Sequence, residues 1–184
     1  NYWFIGGGHN PADYARQARK VVEAGFTGLK FDPFAHTNYL FGEHLSTNLA
    51  LNSAQMDLAE SVTAAVREAV GPDVEMAIET HAMLNGPTAI RMAERLSPYR
   101  IMWYEEPVGP ENVEALAALR NRLNVPICVG ERHYTRYGIR PLLERGLVDF
   151  VMPDITRCGG PSELRRMAAL AEILRTVLGK ISGM

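Results

Sequence analysis

Three glutamates recur at a constant interval along the chain, each directly after a short apolar run. Glu79, Glu105 and Glu131 are 26 residues apart in both steps, and Asp154 follows a fourth apolar run 23 residues later. A strand and the helix that follows it take about this many residues. Each carboxylate is therefore expected at the same place in successive β/α units.

In a parallel barrel these places are neighbours on the C-terminal rim, where active sites lie. Three carboxylates there would repel one another unless a cation neutralised them. An all-oxygen ligand set suits Mg²⁺ better than zinc. The spacing therefore predicts a magnesium site built from Glu79, Glu105 and Glu131. The alternative is that these acidic residues cap the following helices or are simply solvated.

Short apolar runs alternate with amphipathic stretches in the segments that must position these glutamates. The pattern predicts six strands, at Tyr2–Ile5, Thr27–Phe31, Val74–Ile78, Ile101–Tyr104, Ile127–Val129 and Val148–Met152. It predicts six helices, at Pro11–Ala24 with Asn10 as N-cap, Ser53–Val70, Pro87–Leu96, Glu111–Leu123, Ile139–Arg145 and Ser162–Leu174. A long connection follows the second strand, from Asp32 to about Asn52.

Strict alternation of strands and helices favours a parallel sheet, and continuously apolar strands indicate that both of its faces are covered. A doubly wound open sheet and a (β/α)8 barrel both fit. The first strand–helix junction carries no Gly-x-Gly-x-x-Gly, which disfavours the dinucleotide-binding open sheet. A full barrel takes about 250 residues. The predicted fold class is therefore α/β, an incomplete (β/α)8 TIM-type barrel of about six units over residues 1–184.

Composition excludes several other classes of protein. The 184 residues are 47% apolar and 22% charged, with a net charge of −2, so neither a nucleic acid nor an anionic membrane is indicated as a partner. No apolar run reaches the roughly 18 residues of a membrane span. The two cysteines, Cys128 and Cys158, have no Cys-x-x-Cys spacing, and a reducing cytoplasm is the expected compartment.

Several short motifs resemble the mandelate racemase branch of the enolase superfamily, and its galactonate-type acid-sugar dehydratases in particular. The resemblance covers roughly residues 1–172, and it rests on Gly25-Phe26 with Leu29-Lys30, Ile78-Glu79-Thr80-His81, Trp103-Tyr104-Glu105-Glu106-Pro107, Gly130-Glu131-Arg132, and Met152-Pro153-Asp154 with Gly159-Gly160. It implies a partial barrel domain, without the family's N-terminal capping domain and last barrel strands.

The resemblance also implies the metal ligands. They are Glu79, Glu105 and Glu131, where the first position is commonly Asp in the family. Glu105 is preferred to Glu106 as the ligand, because it matches the family's ligand and neighbours in a strand face opposite sides.

Further roles follow from the resemblance alone. His81 corresponds to the histidine that protonates the departing 3-hydroxyl, and it shares a face with Glu79 if the strand continues. Lys30 corresponds to the lysine that holds the substrate carboxylate. Asp154 corresponds to the aspartate that orients a histidine base on the next strand, but no histidine follows in this chain.

Other residues refine the expected reaction. Asp32 stands where racemases often carry a second lysine, which disfavours a racemase that uses a lysine and a histidine. Arg132, His133 and Arg157 are predicted to contact substrate oxygens.

The resemblance implies an Mg²⁺-dependent dehydratase of an aldonate-type acid sugar. It would remove the proton alpha to the carboxylate through an enediolate and give a 2-keto-3-deoxy acid. The alternatives are a racemase or epimerase of a 2-hydroxy acid on the same platform, and a catalytically inactive barrel fragment. The expected partners are the small-molecule acid sugar and, in a full-length parent, further copies of the chain.

Overall fold

A computed structural model of the chain describes residues 10–34 and 49–174 in full and only the backbone of 2–3 and 177–178. Residues 4–5 of the first predicted strand lie outside the described residues. So do residues 35–48, which make up most of the long connection predicted after the second strand.

In the described part of the chain, seven parallel strands form one sheet, and each strand pairs with the next one along the chain. They are β1 (Tyr2–Trp3), β2 (Gly28–Phe31), β3 (Glu75–Glu79), β4 (Trp103–Glu105), β5 (Ile127–Val129), β6 (Phe150–Val151) and β7 (Val177–Leu178). A doubly wound sheet reverses its strand order at a switch point, whereas this order never reverses. The incomplete barrel that the sequence predicts is therefore confirmed.

The sequence analysis did not predict β7. This strand contains only two residues, which pair with Phe150 and Val151 of β6. Two residues carry no hydrophobic periodicity, so only the pairing with β6 reveals them as a strand.

Six α-helices among the described residues connect the strands and cover the outside of the sheet. They are α1 (Pro11–Glu23), α2 (Ser53–Val70), α3 (Gly86–Leu96), α4 (Val113–Arg120), α5 (Thr135–Glu144) and α6 (Gly160–Ile173). An asparagine begins each of the first four, and its side chain accepts a hydrogen bond from the amide three residues on, at Asn10, Asn52, Asn85 and Asn112. In the described part of the chain, no helix is both long and apolar enough to cross a bilayer.

Helix α5 begins four residues earlier than the sequence predicts, at Thr135 instead of Ile139. Gly138 lies inside this helix, where glycine costs about 1 kcal/mol relative to alanine. Burial of Ile139, Leu142 and Leu143 against the sheet outweighs this cost.

Alternate side chains of strands β2 to β6 face two different sides of the sheet. Met76 and Ile78 of β3 and Tyr104 of β4 point outwards and pack in the large core beneath the helices. A second cluster lies inside the barrel and contains Ala77, Trp103, Cys128 and Met152. The period of two places Glu79 on the same side as Ala77, and Glu105 on the same side as Trp103.

Arg67 joins three segments at the end of the barrel opposite the glutamates. Its guanidinium donates to four backbone carbonyls, with Nη1 at 2.8 Å from Gly71 O and 2.7 Å from Val74 O, Nε at 3.0 Å from Tyr99 O and Nη2 at 3.1 Å from Arg100 O. The side chain thereby ties the end of α2 to the segments that lead into β3 and β4.

We expect the substitution Arg67→Met to lower the free energy of unfolding by about 2–4 kcal/mol, because it removes four charge-assisted hydrogen bonds. Urea denaturation would measure this loss. Arg140→Met is the control, since Arg140 is 59% exposed and pairs only with Glu144 among the described ion pairs, and it should change stability by less than about 0.5 kcal/mol. Equal effects of the two substitutions would contradict the role of Arg67.

Candidate active site

Glu79 is the last residue of β3, and its side chain is completely buried. Its Oε1 accepts hydrogen bonds from the amides of Thr80 at 3.1 Å and His81 at 2.8 Å. Positive φ angles at His81 and Ala82, of 52° and 60°, turn the chain directly after the strand. The strand ends at Glu79, so the condition on which His81 was expected to share a face with Glu79 is not met.

Glu105 is the last residue of β4 and lies opposite Glu79 in the strand register. The indole of Trp103 donates to its Oε2 at 2.8 Å. Lys30, on β2, donates to both glutamates, with its Nζ 2.6 Å from Glu105 Oε1 and 3.1 Å from Glu79 Oε2. A single ammonium therefore bridges the carboxylates of two neighbouring strands.

Glu131 completes the group from the next strand. It lies two residues beyond β5, after Gly130, and its side chain is partly exposed. One carboxylate oxygen each from Glu79, Glu105 and Glu131 lies within 4.8 Å of the others. Octahedral Mg²⁺, at about 2.1 Å from its ligands, holds neighbouring oxygens about 3 Å apart and opposite ones about 4 Å apart. The chemistry of this all-carboxylate donor set and the closeness of its oxygens fit such an ion.

The electrostatics of the group also suit a cation. Burial raises the pKa of Glu79 to about 7, against the opposing charge of Lys30. Burial and the charge of Glu79 raise the pKa of Glu105 well above its usual range. Burial disfavours the charged form of Lys30, but the two carboxylates outweigh this and raise its pKa. Three carboxylates beside one ammonium leave an excess of negative charge that a divalent cation would neutralise.

Asp32 orients His81, which the sequence analysis did not foresee. Asp32 is fully buried one residue beyond β2, and its Oδ2 lies 3.0 Å from His81 Nδ1. Its other oxygen accepts from the amide of Phe34 at 2.7 Å, and its backbone carbonyl accepts from the Tyr14 hydroxyl at 2.9 Å. The position of Asp32 directly after an apolar strand, like that of the glutamates, was the available signal.

Residues 13–176 match the family described as enolase C-terminal domain-like. The chain belongs to this family. The match confirms the resemblance to the enolase superfamily that the sequence motifs indicated.

Two curated relatives of this enolase-family chain are named as acid-sugar dehydratases. The D-gluconate dehydratase of Thermoproteus tenax is 37% identical over 172 residues, which are 94% of this chain and 32% of that protein. The D-xylonate dehydratase of Haloferax volcanii is 36% identical over 168 residues, which are 89% of this chain and 39% of that protein. The chain thus spans between about a third and two fifths of the length of these relatives.

A solved structure has the same architecture. It is a member of the enolase superfamily from Salmonella Typhimurium, with a TM-score of 0.86 and 30% identity. The match covers 97% of this chain and 48% of that one.

The predicted aspartate Asp154 lies three residues beyond β6 of this enolase-family barrel. Its Oδ1 accepts hydrogen bonds from the amide and the hydroxyl of Thr156, at 2.8 and 2.7 Å, and these bonds lower its pKa. Arg157, the predicted substrate contact nearby, has its Nε 3.5 Å from Oδ2 of Asp154. The last histidine of the sequence is His133, so an orienting role for Asp154 stays a prediction.

The other two predicted substrate contacts have different surroundings. Arg132 lies beside the three glutamates, with its Nη2 3.5 Å from Glu131 Oε1. His133 is only 7% exposed and borders a small cavity with Val129 and Leu142, which belong to the core beneath the helices. The structure therefore brings Arg132 to the glutamates, whereas His133 packs on the helix side of the sheet.

We expect Mn²⁺, a spectroscopic substitute for Mg²⁺, to bind one site in this chain, as followed by electron paramagnetic resonance. Glu131→Gln should weaken binding about tenfold or more, because it removes a negative charge and replaces a carboxylate ligand with a weaker amide oxygen. The control is Glu114→Gln, which changes a side chain that is 80% exposed and paired with Arg145 on the surface. Wild-type affinity in Glu131→Gln would contradict the assigned ligand set.

Proposed function

We propose that this chain is the catalytic barrel segment of a magnesium-dependent dehydratase of aldonate-type acid sugars. The observation that carries the proposal is the convergence of Glu79, Glu105 and Glu131 beside Lys30. The ligand set would hold Mg²⁺, which would supply positive charge beside the substrate carboxylate. The names of two relatives, D-gluconate dehydratase and D-xylonate dehydratase, support the substrate class.

Lys30 would bind the substrate and stabilise the charge that develops on it. Its ammonium is mostly buried and lies on the inner side of the barrel with the glutamates. When the proton on C2 leaves, negative charge spreads over the carboxylate oxygens of the resulting enediolate. A fixed ammonium in a site with little water stabilises this charge more strongly than water would.

His81 would act as the general acid. Asp32 engages Nδ1, which fixes the tautomer and the plane of the ring, so the proton given to substrate would leave from Nε2. In the reaction the C2–H bond breaks, its electron pair forms the enediolate, and the C3–O bond then breaks. The hydroxyl leaves as water with the proton from His81, and the enol product tautomerises to the 2-keto-3-deoxy acid. The proton from C2 would pass to a general base that the rest of the parent barrel supplies.

The position of Asp32 favours dehydration over racemisation. Racemisation needs an acid–base group on each face of C2, and the side chain at this position is a carboxylate engaged with His81 and the amide of Phe34. It therefore serves the histidine on one face instead of supplying a second base.

Lys30→Met should separate substrate binding from metal binding. We expect the variant to bind Mn²⁺ at least as tightly as the wild type, because the ammonium competes with the ion for the same two carboxylates. Binding of D-gluconate or D-xylonate to the Mg²⁺-loaded chain, measured by calorimetry, should fall about tenfold or more. A loss of metal affinity would mean that Lys30 mainly holds the glutamates in place.

Turnover is best tested in a chimaera in which this chain replaces the matching segment of the Thermoproteus tenax D-gluconate dehydratase. We expect the chimaera to form a 2-keto-3-deoxy acid from aldonates. We also expect His81→Gln to lower kcat about 100-fold or more while KM stays within about threefold, because only proton transfer is removed. A folded chimaera that converts no aldonate would contradict the proposed function, and an unchanged kcat would contradict the role of His81.

A further inference from the structure

Glu106 is completely buried next to the predicted ligand Glu105, yet it faces the other way. Glu106 lies one residue beyond β4 and has a positive φ, so strand alternation does not decide its direction. The cavity that it borders does, because Val129 and Leu142 of the core beneath the helices also line it. Glu106 therefore lies on the helix side, where it borders a small cavity with Val129 and His133. A buried carboxylate in such surroundings is costly unless it makes hydrogen bonds.

The backbone of Glu106 is tied to both neighbouring strand ends. Its carbonyl accepts hydrogen bonds from the amide of Ala82 at 2.8 Å and from the hydroxyl of Thr80, just beyond Glu79. Its own amide donates to Cys128 O of β5 at 2.9 Å. The residue also adopts a positive φ of 44°, which a side chain other than glycine adopts only when its surroundings hold it there.

The side chain of Glu106 reaches the residue that precedes the third ligand. Its Oε1 accepts a hydrogen bond from the Gly130 amide at 2.7 Å, and the Gly130 carbonyl accepts from the His133 amide at 3.1 Å. Gly130 has a φ of 149°, and a Cβ there would lie 2.6 Å from backbone atoms of Met152. The peptide that leads into Glu131 is thus held in a conformation suited to glycine, and the Glu106 carboxylate fixes its N–H.

We propose that Glu106 is a positioning residue for the metal ligand Glu131. Its carboxylate fixes the Gly130 peptide, and its backbone couples that peptide to the strand ends that carry Glu79 and Glu105. The inference rests on the metal centre of the proposed function. Glu106 does not contact the ion. The length of its side chain, rather than its charge, determines whether it can hold the Gly130 amide.

Two substitutions separate reach from charge. Glu106→Gln loses the charge, but its carboxamide oxygen still reaches the Gly130 amide, and its NH₂ takes the place of Oε2, which accepts no hydrogen bond from the described residues. Glu106→Asp keeps the charge, but it is one methylene too short to reach Gly130. Both substitutions are conservative enough to retain the fold.

The test is a titration of the chain with Mn²⁺ followed by electron paramagnetic resonance. We expect Glu106→Gln to bind within about threefold of the wild type, and Glu106→Asp to bind about 10–100-fold more weakly, with a broadened signal from a less uniform coordination shell. The reverse order would show that charge matters, and wild-type affinity in Glu106→Asp would show that Glu131 needs no such support. Either result would overturn the proposal.

Glu163→Asp is the matched control. Glu163 is another buried carboxylate that accepts from a backbone amide, that of Arg136 at 2.9 Å, but it belongs to α6 and binds the first turn of α5. Glu163→Asp should lower stability in urea and leave metal affinity unchanged. If Glu106 were only structural, Glu106→Asp would behave in the same way. Glu131→Gln separates a failure of the metal centre from a failure of the positioning role of Glu106. If it binds Mn²⁺ normally, the metal centre itself is wrong, and if only Glu106→Asp binds normally, the positioning role alone is wrong.

Discussion

Mutual repulsion among three carboxylates is the constraint on which the rest of this rim depends. The parallel register places Glu79 directly opposite Glu105, and the next strand brings Glu131 within 4.8 Å of both. Burial makes this arrangement more costly still, because little water screens the charges. The surrounding groups consequently present positive charge or N–H donors to the two buried carboxylates, from Lys30, the indole of Trp103 and the amides after β3. A divalent cation would neutralise these carboxylates better than the single ammonium of Lys30 does.

The inner face of the sheet carries the residues of the candidate site, and the outer face packs against the helices. The inner face carries Lys30 and the three glutamates above an apolar floor that includes Trp103 and Cys128. The outer face packs against helices that begin at asparagine caps soon after the strand ends. Glu106 shows how the outer face serves the inner one, because its contacts lie behind the sheet while its hydrogen bonds define where the ligands project.

The site residues that recur in each β/α unit could be predicted from the sequence, whereas those whose positions depend on loops could not. The period of 26 residues identified Glu79, Glu105 and Glu131, because equal spacing in β/α units fixes equal positions on a rim. The pairing of Asp32 with His81 could not be predicted in this way. It joins loops that are 49 residues apart, and it depends on the turn at His81 and Ala82, where φ is positive. Strand β7 was missed because two residues have no pattern of their own.

The central claim is that these three glutamates form one metal centre. Anomalous diffraction from a crystal of the chain soaked in Mn²⁺ tests it most directly. The account predicts a single strong peak about 2.2 Å from one oxygen each of Glu79, Glu105 and Glu131, with the Lys30 ammonium displaced from the carboxylates. A peak held by other residues, or no peak between the three glutamates at saturating Mn²⁺, would contradict it.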